Sequence, residues 1–91
     1  MRITYDPAKC LRNEQERGLS FGLVKAFDWS SALIVEDTRV NYQERRYQAL
    51  GWLEGHLHML VFTPRDAAVH VISLRKANQR ERRRYASQTE S

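Results

Sequence analysis

Tyr47-Gln48-Ala49-Leu50-Gly51-Trp52-Leu53-Glu54-Gly55-His56-Leu57-His58-Met59-Leu60-Val61 is the stretch that decides the fold. Tyr47, Ala49, Gly51 and Leu53 recur at every second position, as do Leu57, Met59 and Val61, and a period of two puts each set on one face of a strand. Between the two sets, Glu54-Gly55 supplies a two-residue turn, so the stretch predicts a β-hairpin. Downstream, Pro64-Arg65-Asp66 predicts a second turn and Val69-His70-Val71-Ile72-Ser73-Leu74 a third strand, giving an antiparallel meander from residue 46 to 74. Upstream, the breaker Asp28-Trp29-Ser30-Ser31 precedes Ala32-Leu33-Ile34-Val35, whose β-branched pair predicts a strand beside the meander. Residues 37–44 read as a polar connection.

The flanks add helices. Arg2-Ile3-Thr4-Tyr5 alternates as a short strand, and Asp6-Pro7 then caps and opens a helix that ends by Gly18. Ser20 caps a second predicted helix, on which Leu23, Val24 and Phe27 share the face turned to the sheet. At the other end, Asn78 and Glu81 form a capping box that starts a basic helix of about two turns through Tyr85, with Ser87–Ser91 polar enough to fray. The predicted order is β-α-α-β-β-β-β-α. This is an α+β fold: an antiparallel four-stranded sheet plus a short N-terminal strand, with two N-terminal helices and a C-terminal basic helix gathered on it. Residues 1–91 are expected to form a single domain.

Composition excludes several classes. With 42% hydrophobic residues and 10% aromatics in 91 residues, the chain carries enough apolar surface to bury a core. No apolar run is long enough to span a bilayer and the first residues lack a secretory pattern, so a cytoplasmic location with no membrane contact is expected. Cys10 stands alone, which leaves no internal disulfide and no cysteine-rich zinc cluster. His56, His58 and His70 could in principle meet across neighbouring strands, but no H-E-x-x-H accompanies them, and no metal or other cofactor is expected. The four glycines (Gly18, Gly22, Gly51, Gly55) are dispersed and make no phosphate-cradling loop, and there is no G-x-S-x-G elbow.

Charge points to a polyanion. The net charge is +4. Residues 1–74 are balanced, with nine Lys/Arg and nine Asp/Glu, so the whole excess falls in residues 75–91. Such a terminus either solubilises the chain or displaces counterions from phosphates. Arginines also gather at predicted strand ends: Arg45-Arg46 before one strand, Arg65 in a turn, and Arg75-Lys76 at the end of the last. Taken singly each is a solvated strand-end residue. Converging beside a Glu or Tyr, guanidinium forks could hold a phosphodiester and stabilise charge building on it without a metal.

The ordered set of residues is also specific. Tyr5-Asp6-Pro7-Ala8-Lys9, Asn13, Gly18-Leu19-Ser20-Phe21 and Ala26-Phe27 are followed by Leu60-Val61-Phe62-Thr63-Pro64-Arg65, Val71-Ile72-Ser73-Leu74-Arg75-Lys76-Ala77, Glu81 and Tyr85. Over nearly its whole length the chain resembles the BrnT family of ribonuclease toxins. The resemblance implies a RelE-like fold and the toxin role in a type II toxin-antitoxin system. It further implies metal-independent endoribonuclease action, in which the RNA's own 2′-hydroxyl attacks and a cyclic phosphate is left, and neutralisation by a BrnA-like ribbon-helix-helix antitoxin in a hetero-oligomer. On this reading Arg46, Arg65, Arg75, Glu81 and Tyr85 are the candidate catalytic set, and Arg17, Arg45, Lys76, Arg80, Arg82, Arg83 and Arg84 the RNA-binding set. Family members usually carry Lys-His before the glycine corresponding to Gly18, where this chain has Glu16-Arg17. The imidazole is lost, so Glu81 or Tyr85 becomes the candidate for proton transfer; the alternative is an inactive module that binds nucleic acid or antitoxin.

Overall fold

The computed structural model describes residues 1–89. In chain order the elements are strand β1 (Arg2–Tyr5), helix α1 (Pro7–Arg17), a 3-10 helix (Phe21–Ala26), strands β2 (Leu33–Glu36), β3 (Tyr47–Leu53), β4 (His56–Arg65) and β5 (Ala68–Lys76), and helix α2 (Gln79–Thr89). The strands form one sheet in the order β1-β5-β4-β3-β2. Strands β2 to β5 pair antiparallel, whereas β1 lies parallel to β5, with Ile3 beside Val69 and Tyr5 beside Val71. The expected four-stranded antiparallel sheet is therefore a five-stranded mixed one. Alternation in Arg2–Tyr5 announces a strand but says nothing of its partner; the open edge of the meander, at β5, supplies it.

Local chemistry sets the element ends. Asp6 accepts from the Ala8 N–H at 2.9 Å, and Gly18 closes α1 in the left-handed region with its N–H on the Glu14 carbonyl. Ser20 caps as expected, accepting from Gly22 N–H, but the segment it opens is a six-residue 3-10 helix rather than an α-helix. Only six residues separate the Ser20 cap from the extended Phe27, fewer than two turns of α-helix. Glu54 and Gly55, with φ of 50° and 80°, form the first hairpin turn. The second turn lies at Asp66 and Ala67 (φ 52° and 60°), sharing only Asp66 with the predicted turn, and Pro64 and Arg65 belong to β4. Because that turn closes on the Arg65–Ala68 pair, Pro64–Val69 is the next, non-hydrogen-bonded pair, and the proline nitrogen faces a side where β3 has already ended at Tyr47–Phe62.

Helices cover both faces of the sheet. Phe21, Val24 and Phe27 are buried with Ala49, Leu53, Leu60, Phe62, Val71 and Leu74 on the first face, and Leu23 packs against them. Aromatic rings run across this core: Phe27 to Trp29 at 4.9 Å, Trp29 to Phe62 at 5.2 Å, and Phe62 to Tyr47 at 5.6 Å between centroids. Gly51 makes room for them, since a Cβ there would stand 2.5 Å from the Phe27 ring. Cys10 is buried at this face and its sulfur accepts from the Phe21 N–H. Past the end of the β1 pairing, Asn13 donates to the Leu74 carbonyl and to the Leu19 carbonyl, both at 2.9 Å, and so ties α1 to the sheet. The opposite face is reached by α2, which is longer than expected: it continues through Ser87 to Thr89, while Glu90 and Ser91 of the predicted frayed end lie outside the described residues. Among the described residues no helix is long and apolar enough to cross a membrane.

Candidate functional site

Helix α2 covers only part of its face. Tyr85 packs against Leu50, Leu57, Met59 and Ala77, its ring meets Trp52 edge-on at 5.9 Å, and its hydroxyl donates to the Ser31 carbonyl at 2.8 Å. The capping box is made in full: Asn78 N–H donates to Glu81 Oε1 and Glu81 N–H to Asn78 Oδ1. The register places Gln48, Val61, Ser73 and Arg75, and then Thr63, Arg65 and His70, on this same face. A bulge is the reason Ser73 is here. Val61 pairs with Ser73 and Phe62 with Val71, so Ile72 is the extra residue that lets both Val71 and Leu74 reach the core face.

Two cationic ends flank the uncovered floor. At the end next to α2, Arg75 presents both guanidinium nitrogens to Glu81, Nη1 to Oε1 at 2.7 Å and Nη2 to Oε2 at 2.8 Å. Those hydrogen bonds raise the arginine's pKa and hold the Glu81 carboxyl below its ordinary value, helped by the Asn78 N–H and by Arg84. Arg39 lies within electrostatic reach of Arg75. It is pinned by Asp37, whose buried carboxylate takes Arg39 Nε at 2.9 Å and Nη2 at 2.8 Å and is held far below the ordinary aspartate range. At the other end, Arg46 and Arg65 line an open cavity of about 600 Å³ together with Tyr42, Gln43 and Glu44. Arg65 Nη2 meets Glu44 Oε1 at 2.7 Å, and the Arg46 guanidinium lies 4.2 Å over the Tyr42 ring. The Arg46 Nε is buried without a hydrogen-bond partner. Arg75 sits opposite Met59, six residues along β4 from Arg65, so the two ends lie about 20 Å apart at a strand's rise, a span that a few nucleotides of extended backbone cover.

The remaining predicted residues are dispersed. Arg80, Arg82, Arg83 and Arg84 are exposed on α2, with Arg82 donating to the Ala77 carbonyl. Arg45 is exposed, 3.9 Å from Glu36, and Thr63 Oγ1 donates to its carbonyl. Arg17 lines a groove with Lys9, Arg12 and Ser73 where α1 meets the outer edge of β5, next to the uncovered floor. Lys76 pairs with His58 and faces the other way, into a pocket with His56, His58 and Glu54. The three histidines do not meet, because the register sets His58 and His70 on opposite faces. Among the described residues no group of three or more His, Cys, Asp or Glu side chains converges as metal ligands do. Sequence reasoning missed Arg39 and Tyr42, which read as polar connection; the one local signal was an Asp37-x-Arg39 spacing that suits an Asx turn closed by a salt bridge.

Fold and site together define a small α+β protein in which one sheet face concentrates arginines held in place by carboxylates. The chain belongs to the BrnT family, described as the ribonuclease toxin of a type II toxin-antitoxin system, whose family model matches residues 5–81. That match takes in Arg46, Arg65, Arg75 and Glu81 and stops before Arg82. No curated protein sequence matches the chain. As a toxin of this family it has RNA as its substrate and an antitoxin as its partner.

Proposed function

We propose that the arginine face is where this toxin cuts RNA, as one RelE-like domain over residues 1–91 that uses no metal. The observation that carries the reading is the placement of Arg46, Arg65 and Arg75 on one sheet face, two of them held by carboxylates. RNA brings its own nucleophile. The 2′-oxygen attacks phosphorus, the bond to the 5′-oxygen breaks, and a 2′,3′-cyclic phosphate and a 5′-hydroxyl are left. The protein's share is to hold the backbone in line and to stabilise charge on the phosphorane with fixed cations. Arg46, Arg65 and Arg75 do this; Glu81 positions Arg75, and Tyr85 seats α2 on the sheet. Arg17, Arg45, Arg80, Arg82, Arg83 and Arg84 add peripheral phosphate contacts, whereas Lys76, on the opposite face, stands outside this site. A BrnA-like ribbon-helix-helix antitoxin silences the toxin in the cytoplasm by covering the cationic face, through complementary charge.

The test is incubation of the purified chain with total RNA in excess EDTA. The expected result is fragments ending in cyclic phosphate. RNA that is retarded in a gel but intact identifies a binding module instead, and cleavage that EDTA abolishes contradicts the metal-free chemistry.

A further inference from the structure

Cleavage by the 2′-hydroxyl needs a group to take its proton, and the groups that sequence suggested for this are engaged elsewhere. The Tyr85 hydroxyl is spent on the Ser31 carbonyl beneath α2. Glu81 gives one carboxylate oxygen to Arg75 and the other to both Arg75 and its helix cap, and all of these contacts favour its charged, weakly basic form. Another titratable group stands on the same face. His70 pairs with Thr63 across β4, one row from Arg65, and with Thr4 across β1. Its Nδ1 lies 2.9 Å from Thr4 Oγ1, and Nε2 makes no hydrogen bond among the described residues.

Resting on the function proposed above, we propose that His70 is the general base of this toxin, taking the proton of the attacking 2′-hydroxyl on Nε2 at the Arg46–Arg65 end of the face. The Thr4 Oγ1 contact holds the ring, and in the tautomer with the proton on Nδ1 the Nε2 lone pair is open, the arrangement general bases use. Arg65, in the neighbouring row of the same face, is close enough to act on His70 electrostatically and can hold the phosphate that the 2′-oxygen attacks. The charged groups around the ring are Arg65 and Lys9, opposed by Glu44 and Asp6. Burial, then Arg65, lowers the imidazole's pKa, so it is neutral and ready to accept a proton at neutral pH. As the proton passes to Nε2 the 2′-oxygen bonds to phosphorus, and the 5′-oxygen leaves with a proton from solvent.

The test measures kcat against pH at saturating RNA for the wild type, His70→Gln and Thr4→Val. Gln keeps an amide for Thr4 but cannot take a proton. The expected result is a loss of about 100-fold in kcat for His70→Gln, with RNA affinity kept and the acidic limb of the pH profile abolished. Thr4→Val loses only a few-fold and keeps the limb. Added imidazole restores part of the turnover of His70→Ala. Wild-type turnover and an unchanged acidic limb in folded His70→Gln overturn the assignment. A wild-type protein that binds RNA without cutting it overturns the function proposed above, and this assignment with it.

Discussion

On one face of the sheet Phe27, Trp29, Phe62 and Tyr47 pack ring to ring in a row; on the other, Arg65 and Arg75 stand paired with Glu44 and Glu81 beside a half-covered floor. The same strands make both faces, and alternation alone decides which side chain goes where. Burial of apolar area holds the first face, and each side chain is fixed by its neighbours. The second has a smaller buried cluster, Tyr85 with Leu50, Leu57, Met59 and Ala77 at the α2 end, and beyond it is held by salt bridges at Arg75 and Arg65. Exposed ion pairs contribute little to stability. The arginine face is thus free to serve binding and chemistry because the aromatic face carries the fold.

That division can be broken by mutation. Leu60→Ala, which removes a fully buried side chain from the aromatic face, should cost roughly 3 kcal/mol and lower Tm by about 15 °C while leaving kcat of the folded fraction unchanged. A large kcat effect at equal folded fraction would mean that the faces are coupled. Gly51→Ala forces its Cβ against the Phe27 ring and the Ala32 methyl and should cost about 1–3 kcal/mol, again without a kinetic phenotype. Thermal unfolding followed by circular dichroism reads both.

Effects from the other face should be kinetic. Glu81→Gln keeps a capping side chain but removes the charge that fixes Arg75, so kcat should fall about tenfold with α2 intact; faster turnover would show that Glu81 competes with phosphate instead. The same pair sets a pH dependence. Since the folded-state pKa of Glu81 lies below its ordinary value, the stability it contributes is present above the ordinary glutamate range and is lost as pH falls from that range through the lower folded-state value. Glu81→Gln should flatten that part of the stability profile. The smallest effect is expected at Ala67→Gly, where a left-handed alanine at φ 60° is relieved and stability rises by no more than about 1 kcal/mol.

Much of the aromatic face was legible in the sequence, because Tyr47, Ala49, Gly51 and Leu53 display their period openly and Glu54-Gly55 is an unambiguous turn. The arginine face was legible only as a set of residue types. Its geometry depends on the Ile72 bulge, which a strict period of two across Val69–Leu74 cannot show, and on a turn at Asp66-Ala67 that Pro64 masked. His70 was visible as an imidazole but not as a member of this face, since strand pairing and not spacing puts Thr4 and Thr63 beside it. Likewise Arg39 is drawn in by a buried carboxylate in a connection that has no periodicity to read.

The central claim is that fixed cations on the sheet, and not the number of arginines on α2, drive turnover. It is tested by comparing kcat at saturating RNA for Arg65→Ala, Arg75→Ala and Arg83→Ala, each first shown to be folded by circular dichroism. Losing a preorganised donor or misplacing the backbone should cost about 100-fold for each of the two sheet variants, whereas Arg83→Ala should keep kcat and lose only affinity, with the salt slope reduced by about one. Turnover lost in Arg83→Ala and kept in both Arg65→Ala and Arg75→Ala would contradict the account and move the site to the helix.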